Sequence, residues 1–343
     1  MDSTLDRKPK ITVLMPVYNC ELYIKEALES ILNQTFSDFE LLIIDDASSD
    51  STVSIIKNYN DSRLRLIEKD KNSGITNSLN YGLSIARGEY IARMDGDDIS
   101  FPERFEKQVA FLDANPEIIL CGTNYKVIGK NENIILPECN ESIKIRLLRD
   151  NCIAHPSVMM RRQKLIESSV LYDPIKESAE DYDLWVRLLA FGKLYNLQDF
   201  LLQYRVHEMQ ISKKRQKQQN ESALECRIKM IDYLNFSFHK EETLLLKKFV
   251  SCDTDFGYDE VQKIFTLKEK LVAGNSKLFF NNDELKKYLT ELEIGILKKY
   301  FIARQKYSPA IFFQYLKYKR SFRLTFINEI KLLIKSFVCH KVH

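Results

Sequence analysis

Over the first two hundred positions, apolar residues alternate between two spacings. Short β-branched runs at Ile11 to Tyr18, Glu40 to Asp46, Leu64 to Glu68, Tyr90 to Asp95, Leu120 to Val127, Ser157 to Met160 and Leu194 to Leu197 predict strands. Between them, Glu21 to Gln34, Ser51 to Asn60, Ile75 to Arg87 and Pro102 to Asn115 carry apolar residues at i, i+3 and i+4, the pattern of helices packed on a sheet. Pro102 suits a first helical turn, and Asn115-Pro116 a helix stop. Strands alternating with helices predict an α/β architecture of βαβ units.

Near Val206 the pattern changes. Lys213 to Asn220 (KKRQKQQN) is polar throughout, and beyond it Glu221 to Phe236, Lys240 to Val250, Tyr258 to Val272 and Asp283 to Phe301 read as successive helices. Two domains follow, 1–212 and a helical 213–343. At 45% hydrophobic and 29% charged residues the chain is neither disordered nor fibrous. It holds no apolar stretch of about 18–20 residues that could span a bilayer. MDSTLDRKPK at the start lacks a secretory apolar core, so a cytoplasmic location is expected. Seven scattered cysteines without a CxxC pair read as reduced packing residues. Charge is uneven: Leu297 to His343 holds eleven basic residues against the single acid Glu329, or +10 in a chain totalling +3, which leaves −7 for the rest.

Open α/β sheets bind ligands outside the carboxyl ends of their strands. Three strands end there in acids or turn residues: Pro16-Val17-Tyr18-Asn19, Asp45-Asp46-Ala47-Ser48-Ser49-Asp50 and Asp95-Gly96-Asp97-Asp98. Their acids are expected to converge on one cleft. Neither GxGxxG nor GxxxxGK[ST] occurs, so phosphates need another device. Asp95, Asp97 and Asp98 offer hard oxygen ligands suited to Mg²⁺ or Mn²⁺ bridging a diphosphate. On their own, the same four residues read more readily as a solvated acidic turn or helix cap.

The flanking residues decide between these readings. VLMPVYN, QTFSDFELLIIDDASSDST, NSGITNSLNYGLSIARGEYIARMDGDD, HPSVMMRR, AEDYDLWVRL and YRVHEMQIS, in that order between Ile11 and Ser212, resemble glycosyltransferase family 2. The resemblance implies a GT-A fold, with a mixed sheet flanked by helices, and inverting transfer from a nucleotide sugar. It places Pro16, Val17, Tyr18, Asn19, Asp46, Gly74, Asn80 and Asp95 at the nucleotide, with Asp46 accepting a uracil imide N–H, and so implies a UDP-sugar donor. Asp95, Asp97 and Asp98 become the metal and donor-sugar site, which His207 can complete. A lone histidine in that position also reads as a packing residue.

Glu180-Asp181-Tyr182-Asp183 is expected just before an amphipathic helix, Leu184 to Phe191, with its carboxylates at the positive helix end. Capping would explain it. The resemblance makes Asp181 the general base, with Glu180 beside the acceptor or donor sugar. His155, before Pro156, belongs either to the acceptor side or to the core. The expected acceptor is a hydroxyl of a glycan or lipid-linked carrier in bacterial surface-polysaccharide synthesis. A catalytically silent nucleotide- or glycan-binding module is the alternative, marked by loss of a catalytic acid, and none is missing. The basic, aromatic tail suits an anionic membrane surface or a helical cap packed on the body. The near-neutral total charge argues against nucleic acid.

Overall fold

The first four strands run parallel because each of the first three is followed by a helix that returns the chain across the sheet. In chain order these are β1 (Ile11–Val17), α1 (Ile24–Leu32), β2 (Phe39–Asp45), α2 (Thr52–Lys57), β3 (Leu64–Glu68), α3 (Ile75–Ile85) and β4 (Tyr90–Arg93). A computed structural model describes residues 8–207, 216–251, 256–303, 307–319 and 322–338. The chain separates into two units, Met1–Cys226 and Arg227–His343. The boundary expected at Ser212 and Lys213 lies outside the described residues.

Downstream come β5 (Ile99–Ser100), α4 (Arg104–Ala114), β6 (Ile118–Val127), β7 (Asn133–Ile134), α5 (Asn140–Leu147), β8 (Met159–Arg161), α6 (Arg162–Ser168), α7 (Glu180–Leu188) and β9 (Lys193–Tyr204). The sheet order is β3-β2-β1-β4-β8-β6-β9-β5, with β7 paired to β6. Strand β8 runs antiparallel to both neighbours, β4 and β6, which makes the sheet mixed. Strands β1 and β2 are buried along their whole length, as helices on both faces require. Helix α1 buries Ile24, Ala27, Leu28 and Ile31, its i, i+3, i+4, i+7 stripe, against them. Each large aliphatic side chain so buried contributes about 2 kcal/mol.

Strand order reverses at β1, which lies between β2 and β4, so the crevice outside the carboxyl ends of β1 and β4 is the topological switch point. Short β5 folds back onto the end of β9, pairing Ile99 with Gln203 and Ser100 with Leu202. That pairing carries the end of β9 to the loop after β4, more than a hundred residues away in sequence. The five described cysteines, Cys20, Cys121, Cys139, Cys152 and Cys226, are free thiols.

Helix α8 (Gln216–Asp232) runs across the division between the units. The second unit continues with α9 (Lys240–Ser251), α10 (Tyr258–Gly274), α11 (Asn282–Ile302), α12 (Pro309–Tyr318) and α13 (Phe326–Phe337). Helix α10 buries Val261, Ile264, Leu267 and Leu271, and α11 starts where the Asn281 side chain accepts from the N–H groups of Asp283 and Glu284. The tail aromatics divide. Phe301 packs on Tyr315 and Phe322, all three buried, whereas Phe313 and Phe326 face solvent. Among the described residues no helix is long and apolar enough to cross a membrane.

Candidate active site

The turns after β1 and β2 are locked to each other. The Asn19 carboxamide oxygen accepts from Ser49 N–H at 2.8 Å, Asn19 N–H donates to the Ser48 hydroxyl at 3.0 Å, and Cys20 N–H donates to the Thr52 hydroxyl at 2.8 Å. Asn19 and Ala47 both adopt positive φ, of 49° and 63°, a backbone shape held only where neighbours enforce it. Pro16 and Val17 are buried, while Tyr18 is 51% exposed.

Asp46 lies in a ring of donors: Lys69 Nζ at 2.6 Å, Ser73 N–H at 3.1 Å and Gly74 N–H at 2.8 Å. Burial works against its charge, but Lys69 and the two backbone donors outweigh it and hold the carboxyl below its usual range. Gly74 sits at φ 90° directly before α3, a conformation that L side chains avoid, and thereby turns its N–H onto Asp46. Asn80, on α3, spends both ends of its amide on the backbone of Tyr172, at 2.8 and 3.0 Å.

One carboxylate oxygen from each of Asp95, Asp97 and Asp98 lies within 4.8 Å of the others. His207 Nε2 meets Asp97 Oδ2 at 2.9 Å, and the Arg205 N–H donates to Asp98 Oδ1 at 2.8 Å. Asp98 is 1% exposed and its Oδ2 has no hydrogen-bond partner. Burial, then the charges of Asp95 and Asp97, push Asp98 well above the ordinary aspartate range. Like charges gathered this closely, with a buried oxygen left unmatched, fit a hard divalent cation held by oxygens and one imidazole.

Helix α7 begins at Glu180, four residues earlier than expected, so its acids occupy the first helical turn instead of preceding it. There the free N–H groups and the helix dipole favour carboxylates, which outweighs the interior preference that set the expected start. Asp181 accepts from Tyr182 N–H at 2.6 Å and from the Asn151 amide at 2.7 Å. Burial raises its carboxyl above normal, against the opposing pull of those donors and of Arg93. Glu180 accepts from Ser178 N–H at 2.8 Å; burial and then the charge of Asp181 push it up to about 7. Asp183 is fully buried and pairs with Arg187 at 2.7 Å, a structural role. His155 is buried, bonded through Nε2 to the Tyr172 hydroxyl at 2.8 Å and packed edge-on against Trp185 at 5.7 Å. Burial, then Arg93, hold its ring well below the usual histidine value, so it is neutral and turned into the core.

Arg93 is a buried cation paired with the first acid cluster, and reading the chain by strand ends overlooked it. It is 2% exposed, pairs with Asp95, and its positive charge opposes protonation of Asp98, Glu180 and Asp181 as well. An arginine two residues before the acidic motif, at the end of an otherwise apolar strand, was the available signal. Lys69, Asn151 and Arg205 were missed too. Lys69 and Asn151 reach the site through tertiary approach with no local pattern to mark them, whereas Arg205 lies within the YRVHEMQIS motif without standing out in it.

The model of glycosyl transferase family 2 matches residues 12–169, which span β1 to α6 and include the acidic triad. The Putative glycosyltransferase EpsE of Bacillus subtilis is 40% identical over 209 residues, 58% of this chain and 73% of that protein. The chain belongs to glycosyl transferase family 2. Within the family it is also 33% identical to the O-antigen biosynthesis glycosyltransferase WbnJ of Escherichia coli over 213 residues, covering 59% of this chain and 82% of that one. The S. aureus TarS 1-349 structure in complex with UDP-GlcNAc shares the fold at a TM-score of 0.58 and 19% identity, over 96% of this chain and 93% of that one. The chain is thus a glycosyltransferase with a GT-A mixed sheet and a helical C-terminal region, as its motifs led one to expect.

Proposed function

We propose that the chain is an inverting glycosyltransferase. It moves a sugar from a UDP-sugar to a hydroxyl of a glycan or lipid-linked acceptor in surface-polysaccharide synthesis, in the cytoplasm at the inner face of the membrane. The observation that carries this reading is the presence of two carboxylate clusters: Asp95, Asp97 and Asp98, with Asp95 paired to the buried Arg93, and Glu180 beside Asp181 at the start of α7. A leaving diphosphate and an attacking hydroxyl need such separate groups. The named role of the Escherichia coli relative supports the pathway, and the UDP-GlcNAc held by TarS supports the donor.

Tyr18 and Asn19 border the base and ribose, and Asp46 accepts the uracil imide N–H on a lone pair left by its present donors. Asp95, Asp97, Asp98 and His207 hold Mn²⁺ or Mg²⁺, which when bound supplies positive charge against the departing nucleoside diphosphate. Asp181 takes the acceptor hydroxyl proton as that oxygen attacks the anomeric carbon from the face opposite the leaving group. The glycosidic bond forms as the carbon–oxygen bond to UDP breaks, and the electron pair leaves with UDP. Glu180 borders the acceptor.

The test is calorimetry of UDP, GDP and dTDP with and without Mn²⁺, beside a turnover assay with UDP-sugars. Metal-dependent UDP binding that Asp97→Ala abolishes, together with transfer or slow hydrolysis, is expected. Binding without any turnover would instead make the chain a silent nucleotide-holding module.

A further inference from the structure

We propose that the outer faces of α12 and α13 seat the second unit on an anionic lipid bilayer, a proposal that names the surface for the membrane-side reading above and rests on it. Helix α13 buries Leu332 and Ser336 and leaves most of its other apolar side chains in water. Its buried positions include Ser336, fully enclosed with its hydroxyl unpartnered, while Ile327, Ile330, Leu333, Ile334 and Phe337 are 65%, 41%, 43%, 48% and 39% exposed. At about 100° per residue these five side chains fall within roughly 120° of one another around the helix. The Phe337 ring lies 6.1 Å from that of Phe313 on α12, itself 57% exposed, so the apolar surface continues from one helix to the next. Soluble surfaces seldom leave a contiguous apolar face of this kind in water.

Charge selects the occupant. Lys317, Arg323 and Lys331 are exposed on the same two helices and the turn between them, within a segment of +10. A second copy of this chain would set that charge against itself, whereas anionic headgroups match it. Twelve residues are too few to span a bilayer, so α13 lies in the plane of the interface with its apolar arc below the headgroups.

The experiment is flotation of the full chain with vesicles of phosphatidylcholine alone and of equimolar phosphatidylcholine and phosphatidylglycerol. Binding to the anionic vesicles is expected, falling about fivefold for each of Lys317→Gln, Arg323→Gln and Lys331→Gln. Ile330→Asn with Phe337→Asn lowers it by about a hundredfold or more, while hydrolysis of soluble UDP-sugar is unchanged. Because these positions are exposed, the variants keep the fold, which circular dichroism checks. Equal binding to both vesicle types, no binding to either, or full binding by the double variant overturns the proposal. So does a dimer in sedimentation that the double variant abolishes, because the face then belongs to a second copy. Lipid binding without turnover would instead fault the enzymatic reading, and turnover without lipid binding would fault this one.

Discussion

Arg93→Met tests whether one buried cation holds the acid clusters together. The arginine is 2% exposed, its partner Asp95 has a quarter-exposed side chain, and Asp98, Glu180 and Asp181 all lie within its field. Removing one member of a buried pair costs about 3–5 kcal/mol because the survivor keeps its charge without compensation. The 25% exposure of Asp95 places the loss near the lower limit, about 3 kcal/mol. Trp185 is the only tryptophan and is fully buried in the first unit, so its fluorescence during urea unfolding follows that unit alone. With a slope of about 3 kcal/mol per M, the midpoint falls by about 1 M. Asp95→Asn leaves Arg93 unpaired and costs a similar amount. If the pair is the physical unit, the double variant is more stable than the two single losses added together, by about 2 kcal/mol. Additive losses, or a midpoint unchanged in Arg93→Met, would refute the argument.

Asp181→Asn is expected to lower kcat by about a thousandfold while UDP affinity in calorimetry stays the same. Asn151→Ala removes a donor that favours the charged form of Asp181, so the acid limb of the kcat profile moves to higher pH; an unmoved limb would exclude Asn151 as a positioning residue. Glu180, held at about 7, lies above the ordinary glutamate value of about 4.3. Its contribution to stability is therefore fully present below that value and is lost as pH rises toward 7. Glu180→Gln should flatten this part of the stability profile, read by Trp185 in urea titrations across that range. A Cβ at Gly96 would meet Cys20 Sγ and Val17 Cγ1 at 3.1 Å, side chains that can shift, whereas one at Gly88 would meet the Thr12 backbone nitrogen at 2.3 Å. Gly96→Ala is expected to cost about 1 kcal/mol and Gly88→Ala about 3 or more by denaturant midpoint.

Much of the architecture was legible from spacing alone. Seven apolar runs correspond to seven strands, and four periodic segments to the helices that alternate with the first strands, because a sheet covered on both faces asks for continuous apolar runs and a helix stripe imposes period 3.6. The two-residue strands at Ile99 and Asn133 escaped, since so short a pairing carries no period. Helix α5, whose apolar residues form no clear stripe, escaped for the same reason. The tail aromatics could not be sorted from composition, because burial of Tyr315 and exposure of Phe313 depend on which face of α12 meets its neighbours.

The chain by itself determined which chemical groups are present: the acids at the strand ends, the ordered motifs that carry the family, and an excess of positive charge at one end. These are local properties, written in types and intervals. Only tertiary structure decided who meets whom. Strand β5 pairing with β9 carries His207 to Asp97, and packing buries Arg93 beside Asp95. His155 and Asn80 match family motifs as well as His207 does, yet their polar atoms are used on Tyr172 within the first unit. A motif specifies a side chain and its neighbours along the chain, whereas its partners and its exposure to water are set by packing between segments that sequence separates.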